Sequence, residues 1–388
     1  MDSALDNLRI LDFSRVLAGP FATMLLGDLG ADVVKIERPD TGDDTRHWGP
    51  PYSARHVATY FESVNRNKRS LVLDLATPDG LEQARLLADT ADVVIENFRP
   101  GLMRDLGLGY AQLQSTNPGL IYCSITGFGE GAPQLPGYDL LVQALGGLMS
   151  ITGQPDGPPQ KVGVALVDVL AGLFATIGIL AALVHRADTG CGQRVQVDLF
   201  SSLLAALVNQ GAAYTAGNTV PTRMGNQHPS IAPYEPLRCA DGNLVVAVGN
   251  DRQFAALCEV IGAPELSHDP RFATNSDRVA QRTALIAALE RRLTFRPADE
   301  WAQALTAARV PAGVVNDIAG AFRLAEQLGL APVVELPGEG GARTSLTRNP
   351  IGLSATPPSY RLPPPVLGGS GSGWTTANDR LQPEGITS

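Results

Sequence analysis

Asp168 is the only charged residue in the run VGVALVDVLAGLFATIGILAALV, from Val162 to Val184. Taking an ionised carboxylate into apolar surroundings costs several kcal/mol, so such a group is paired, neutralised or chemically active. No Lys or Arg lies between Lys161 and Arg186, so any cationic partner must come from elsewhere in the fold. A carboxylate on an apolar helix beside glycines is able to attack an activated acyl group. The ordinary alternative is a helix-start carboxylate satisfied by backbone N–H groups near Gly163.

Other residues extend the chemistry or exclude it. Arg15, Arg38, Lys68, Arg69, Arg99 and Arg104 fall near the ends of β-rich runs. Together they would make a pocket for an anion such as a phosphate; singly, each reads as solvated surface charge. The glycine-containing segments 127–141 and 143–157 would bring backbone N–H groups close to an oxyanion, or serve as caps and turns. The stretch FSRVLAGPFAT after the first β-rich run carries Gly19 but no G-x-G-x-x-G, so the dinucleotide fingerprint fails. Glu37 is placed like a ribose-binding acid, yet Arg38 follows it directly. His47, His56, His185, His228 and His268 have no metal-ligand spacing, and no G-x-S-x-G elbow occurs, so neither a metal site nor a serine nucleophile is expected.

These side chains need a scaffold, and the composition allows one. The chain has 388 residues, 44% of them hydrophobic and 18% charged, which suits two or three domains with sizeable cores. A net charge of −9 argues against nucleic acid as a partner. Cys123, Cys191, Cys239 and Cys258 are scattered and read as reduced thiols of a cytoplasmic protein. The start MDSALDNLRILDF lacks the features of a signal peptide. Leu166 to Val184 reaches membrane-spanning length, but its Asp, its two glycines and its flanks favour a buried core helix and no membrane partner.

β-rich runs at 8–14, 31–37, 70–75, 91–98 and 120–129 alternate with helical stretches, which predicts right-handed crossovers and a mostly parallel α/β sheet. Residues 139–150 and the Asp168 run read as helices, 193–200 as a strand, and 198–214 as a further helix. The texture changes near Gly217, where Asp241-Gly242-Asn243 marks a turn between two β-like runs. The expected organisation is a large domain over 1–219, a smaller α+β domain over 220–325, and a return to the large domain with a flexible tail over 326–388.

Seven segments in order resemble family III CoA-transferases, the formyl-CoA and carnitine CoA-transferase family. They are LRILDFSRVLAGPFATMLLGDLGADVVKIERP, YFESVNRNKRSLVLDL, ENFRPGLMRDLGLGY, SITGFG, VGVALVDVLAG, TGCGQRVQVDLF and VPAGVVND, spread from about Leu8 to Pro357. The resemblance implies a Rossmann-like large domain with a parallel sheet, a small domain, and a homodimer whose two chains interlock like links. It implies an enzyme that moves CoA from an acyl-CoA donor to a carboxylic acid through a covalent intermediate on Asp168, with no metal. An Asp of reference pKa about 3.9 would be ionised for that attack at neutral pH.

By the same resemblance Val16, Arg38, Asn97, Phe98 and Arg104 would line the CoA site, with Arg38 and Arg104 at its phosphate-bearing end. Trp48 and Tyr138 would belong to the substrate pocket. The segment MGNQHPSIAPYEP (224–236) stands where formyl-CoA transferases carry a run of glycines, so His228 and Tyr234 are candidates to touch a larger acyl group. The racemase branch has a histidine directly before an aspartate, where this chain has Tyr138 before Asp139, so 2-methylacyl-CoA racemisation ranks second. A CoA-binding protein without turnover is the remaining alternative, and it would have no use for Asp168.

Overall fold

The structure, a computed structural model, describes residues 3–337, 343–369 and 373–374. It divides into two compact units, one from Met1–Leu148, Lys161–Thr219 and Ala331–Ser388, the other from Met149–Gln160 and Val220–Leu330.

Six strands form the sheet of the first unit: β1 Arg9–Asp12, β2 Asp32–Glu37, β3 Lys68–Val72, β4 Val93–Glu96, β5 Ile121–Thr126 and β6 Arg194–Asp198. Every pairing is parallel and the order is β3-β2-β1-β4-β5-β6, the doubly wound α/β arrangement. The near-continuous apolar runs arise because both faces are covered. Ile10, Val33, Val93 and Ile121 pack on one side with Ala22, Ala171 and Ala175. Their neighbours Leu11, Val34, Val94 and Tyr122 pack on the other with Ala84, Ala88 and Leu113. β3 begins two residues before the expected run at 70–75, because Lys68 pairs in register with Val33. β6 stops at Asp198, whose carboxylate accepts the Ser201 N–H (2.7 Å) and starts the helix Leu199–Ala206.

The helix carrying Asp168 runs from Leu166 to Thr189 and ends at Gly190 in the left-handed region (φ 73°). Val167, Ala171, Ala175, Ile179 and Ala182 form its buried face. It packs against the helix Ala18–Asp28, and a Cβ at Gly172 would stand 2.6 Å from the Ala18 carbonyl oxygen, so this contact requires glycine. Leu173, Ile177 and Val184, on its other faces, are exposed.

The described C-terminal residues close this unit. β10 (Val333–Pro337) pairs antiparallel with β11 (Arg343–Thr347). Arg361 donates to the carbonyls of Gly27 and Ala31 (both 2.9 Å), Asn349 donates to Asp28 (3.0 Å), and the Asn67 N–H donates to the Leu362 carbonyl (2.9 Å). Most of the expected flexible tail lies outside the described residues.

In the second unit a three-stranded antiparallel sheet, β7 Tyr234–Arg238, β8 Asn243–Ala247 and β9 Ala312–Val314, carries helices Asp251–Val260, Arg282–Leu293 and Ala298–Ala307. Phe254, Leu257, Phe272, Leu289 and Trp301 fill its core.

Candidate active site

In a sheet of this order the winding of the chain reverses between β1 and β4, and the C-terminal ends of these parallel strands leave a crevice there. Val16, four residues past β1, has φ +68°, a left-handed conformation that a β-branched residue rarely adopts. Three groups hold it there. Asn97, just past β4, accepts the Arg15 N–H on its Oδ1 (2.8 Å) and donates its Nδ2 to the Arg15 carbonyl (2.7 Å). Asp43 accepts the Val16 N–H (3.3 Å). Lys35, fully buried, pairs with Asp43 (2.9 Å) and donates to the Ser14 carbonyl (2.7 Å). Burial opposes charge on Asp43, but Lys35 and the N–H and hydroxyl of Thr45 outweigh it and hold its pKa near 2.

This strained turn forms part of the wall of a cleft of about 960 Å³. Val16, Trp48, Tyr60, Asn97, Tyr138 and Asp168 line it, together with Arg15, Arg99 and Lys161. Gly127 and Gly137 on the same wall touch backbone to backbone: a Cβ on Gly127 would stand 2.5 Å from the Gly137 Cα. Their absent side chains are explained by that contact.

Asp168 sits in the first turn of its helix, accepts no hydrogen bond and pairs with no cation among the described residues. Burial, reinforced by the negative charge of Asp139, raises its pKa to about 7. Both effects oppose the full ionisation at neutral pH expected of an unperturbed Asp. Neither is the carboxylate satisfied by N–H groups near Gly163. Asp139 meets the helix instead, accepting the Val167 N–H (2.8 Å) on one oxygen and the Gln143 side-chain amide (2.6 Å) on the other.

A second cavity of about 320 Å³ adjoins the cleft, with Arg15 and Phe98 lining both. Phe13, Leu73, Leu75, Leu102 and Leu106 make it apolar, and Arg38 stands at its edge. The Arg38 guanidinium donates to Thr41 (2.7 Å) and to Asp44. Arg104 lines neither of these two cavities; its side chain is 72% exposed beside Asp105. His228 and Tyr234 belong to the second unit, where their rings stack at a tilt, 5.2 Å apart. The His228 Nδ1 accepts the Ser230 N–H (3.1 Å), and Arg282 holds the loop through the carbonyls of His228 and Ile231.

The sequence model of CoA-transferase family III matches residues 5–370. The chain is 43% identical to a succinate–glutarate CoA-transferase of Agrobacterium fabrum, covering 94% of this chain and 93% of that one. It is 45% identical to an acetyl-CoA:oxalate CoA-transferase of Acetobacter aceti, over 82% of each. A CAIB/BAIF family protein from Brucella suis has the same fold, with a TM-score of 0.83 at 43% identity over 95% of this chain and 97% of that one. The chain belongs to CoA-transferase family III.

For a family III enzyme the basic residues divide sharply. Arg15, Arg38 and Arg99 line the cavities, whereas Lys68 and Arg69 do not join an anion pocket. Those two begin β3, at the strand end opposite the crevice. Lys68 is buried against Asp12 (3.3 Å), and Arg69 pairs with Asp32 (2.5 Å). Glu37 is likewise no ribose ligand, since Arg46 grips both its oxygens (2.6 and 2.8 Å) and Ser70 and the Asp43 N–H fill the remaining positions. Tyr60, Gln143 and the positioning role of Asp139 carried no motif-level signal. Tyr60 faces the cleft beside Trp48 (ring centroids 5.3 Å), and burial, with Asp168, Asp139 and Asp43 adding to it, raises its pKa to about 12, so it remains a proton donor.

Proposed function

We propose that this CoA-transferase moves CoA from an acyl-CoA donor to a dicarboxylic acid through a covalent thioester on Asp168. The observation that carries the reading is the unpaired carboxylate in the wall of a large cleft. Asp168 attacks the donor carbonyl, the C–S bond breaks, and CoA thiolate leaves a mixed anhydride. The thiolate attacks the aspartyl carbonyl and releases the donor acid, giving aspartyl-CoA. The acceptor carboxylate then displaces the thiolate to form a second anhydride, and the thiolate attacks the acceptor carbonyl. Asp168 returns as a carboxylate and the acceptor leaves as its CoA thioester.

The two cavities suit the long bipartite shape of CoA. The apolar cavity beside Arg38 accommodates a flat base near a phosphate-binding guanidinium, and the cleft leads on to Asp168. Tyr60, which lines the cleft and keeps its proton, is placed to stabilise an oxyanion. Dicarboxylic acceptors are supported by the substrates named for the two relatives. Racemisation is disfavoured because both Asp139 oxygens are engaged and Tyr138 stands where that branch has its histidine.

The family and the exposed apolar residues Ile177, Val184 and Val208 support a homodimer, which sedimentation would reveal and a monomeric mass would refute. The four unpaired cysteines support a cytoplasmic setting; fractionation of cells with the protein outside the cytoplasm would overturn it.

Incubation with a panel of acyl-CoA donors, quenched with hydroxylamine and read by peptide mass spectrometry, tests the chemistry. A donor-dependent hydroxamate at Asp168, absent from Asp168→Asn, is expected, with transfer by that variant at least about 1,000-fold slower. Undiminished turnover by Asp168→Asn sinks the mechanism.

A further inference from the structure

We infer that Lys161 selects dicarboxylic acids by pairing its ammonium with the carboxylate distal to the one that reacts at Asp168. The inference rests on the transfer reaction proposed above and assigns a specificity role within it.

A dicarboxylic acid places one carboxylate at the nucleophile and a second, still ionised, deeper or further along the cleft. Leaving that second charge without a partner is costly, so the acceptor end of the cleft needs a cation. Three cations line the cleft: Arg15, Arg99 and Lys161. Arg15 is ion-paired with Asp44 (3.4 Å) and its guanidinium lies 5.0 Å from the Phe98 ring centroid, in the wall shared with the apolar cavity. Arg99 directly follows Phe98 on the β4 side of the same wall. Both belong to the part of the cleft leading to Arg38.

Lys161 also lines the cleft, but from the strap that leads into the Asp168 helix. Its ammonium donates to the carbonyl of its own neighbour Val162 (3.1 Å) and meets no carboxylate among the described residues. The carboxylates lining the cleft are Asp44, Asp139 and Asp168. Asp44 is held by Arg15 and Arg38, and Asp139 is filled by Val167 and Gln143. No ion pair joins Lys161 to Asp168, and the hydrogen bond of the ammonium goes to the Val162 carbonyl. The cation is therefore separate from the nucleophile yet faces the same cleft.

The strap is also fixed. Gln143, fully buried, accepts the Val162 N–H (2.9 Å) and donates to Asp139, which in turn takes the Val167 N–H. One turn of the helix Asp139–Leu145 thus ties down both ends of residues 162–167. Lys161 emerges just before the first tie and Asp168 just after the second, so the backbone that carries cation and nucleophile is held fixed, which limits the span that an acid can bridge.

The test compares glutarate with pentanoate, which has the same chain length but lacks the second carboxylate. Succinyl-CoA is the saturating donor for wild type, Lys161→Gln and Lys161→Arg. Lys161→Gln should lower kcat/KM for glutarate about tenfold while leaving pentanoate within about twofold, and Lys161→Arg should restore most of the loss. Equal losses for both acids, or no loss for glutarate, overturn the inference while leaving the transferase reading intact. A wild-type enzyme that transfers CoA to none of glutarate, succinate, oxalate and pentanoate, with any donor of the panel, overturns both.

Discussion

Asp12, at the end of β1, lies deeper than Asp168, at the start of its helix, yet the two carboxylates are driven in opposite directions. Burial acts against ionisation at both. At Asp12 the Lys68 and Lys35 ammonium groups and the hydroxyls of Ser14 and Thr23 (2.6 Å) outweigh it and lower the pKa. At Asp168 nothing opposes burial, Asp139 adds to it, and the pKa rises to about 7. Depth alone does not decide what a buried acid does; the partners supplied by other strands do. The first acid braces the sheet beneath the Val16 turn, and the second is left available to react.

The largest effect that would sharpen this contrast is on stability. Asp12→Ala should destabilise the protein by about 3–5 kcal/mol, because Lys68 and Lys35 lose a buried counter-charge. Urea denaturation reads it, and a loss below about 1 kcal/mol would mean that the two lysines are satisfied without Asp12. Burial already draws the Lys68 pKa down to about 7, so Lys68 is the group expected to shed its proton in that variant.

A smaller effect concerns pH. The acid limb of kcat/KM for the donor should rise with pH through about 7, as Asp168 ionises. Asp139→Asn removes a negative charge that opposes ionisation, so its limb should move toward acid. A wild-type limb near 4 would show that Asp168 has a counter-ion in the working enzyme.

The smallest effect is again on stability, with the opposite sign to Asp12. Between about pH 4 and 7 the folded chain keeps a proton on Asp168 that the unfolded chain releases. The contribution of this group to stability therefore falls as pH rises through that window, and the full penalty is present above pH 7. Asp168→Asn should melt a few degrees higher than wild type at pH 8, with the difference gone near pH 4. A variant less stable at pH 8 would mean that the carboxylate is paired.

The parallel sheet was legible in the alternation of Val- and Ile-rich runs with helical stretches, since a strand covered on both faces needs apolar residues at every position. Asp168 was legible as a charge without a neighbour of opposite sign. The nature of its surroundings was not, because desolvation and the charge of Asp139 arise from packing between segments 29 residues apart. The basic residues show the same limit. Arg38 and Lys68 look alike beside β-rich runs, but one follows the C-terminal end of β2 and the other opens β3, which puts them at opposite ends of neighbouring strands. Asn97 lines the cleft, and its amide grips the Arg15 backbone, a cross-strand contact that no local pattern announces.

The return of residues 343–369 to the first unit has a consequence for biosynthesis. Asp28, Gly27, Ala31 and Asn67 are made early, but their partners Asn349, Arg361 and Leu362 leave the ribosome some 300 residues later. The second unit is contiguous apart from a short segment and has all its residues before then. The part of the chain that emerges first is thus completed last. During synthesis the nascent large unit waits with a polar seam open at Asp28, a stage at which chaperone engagement has most to protect.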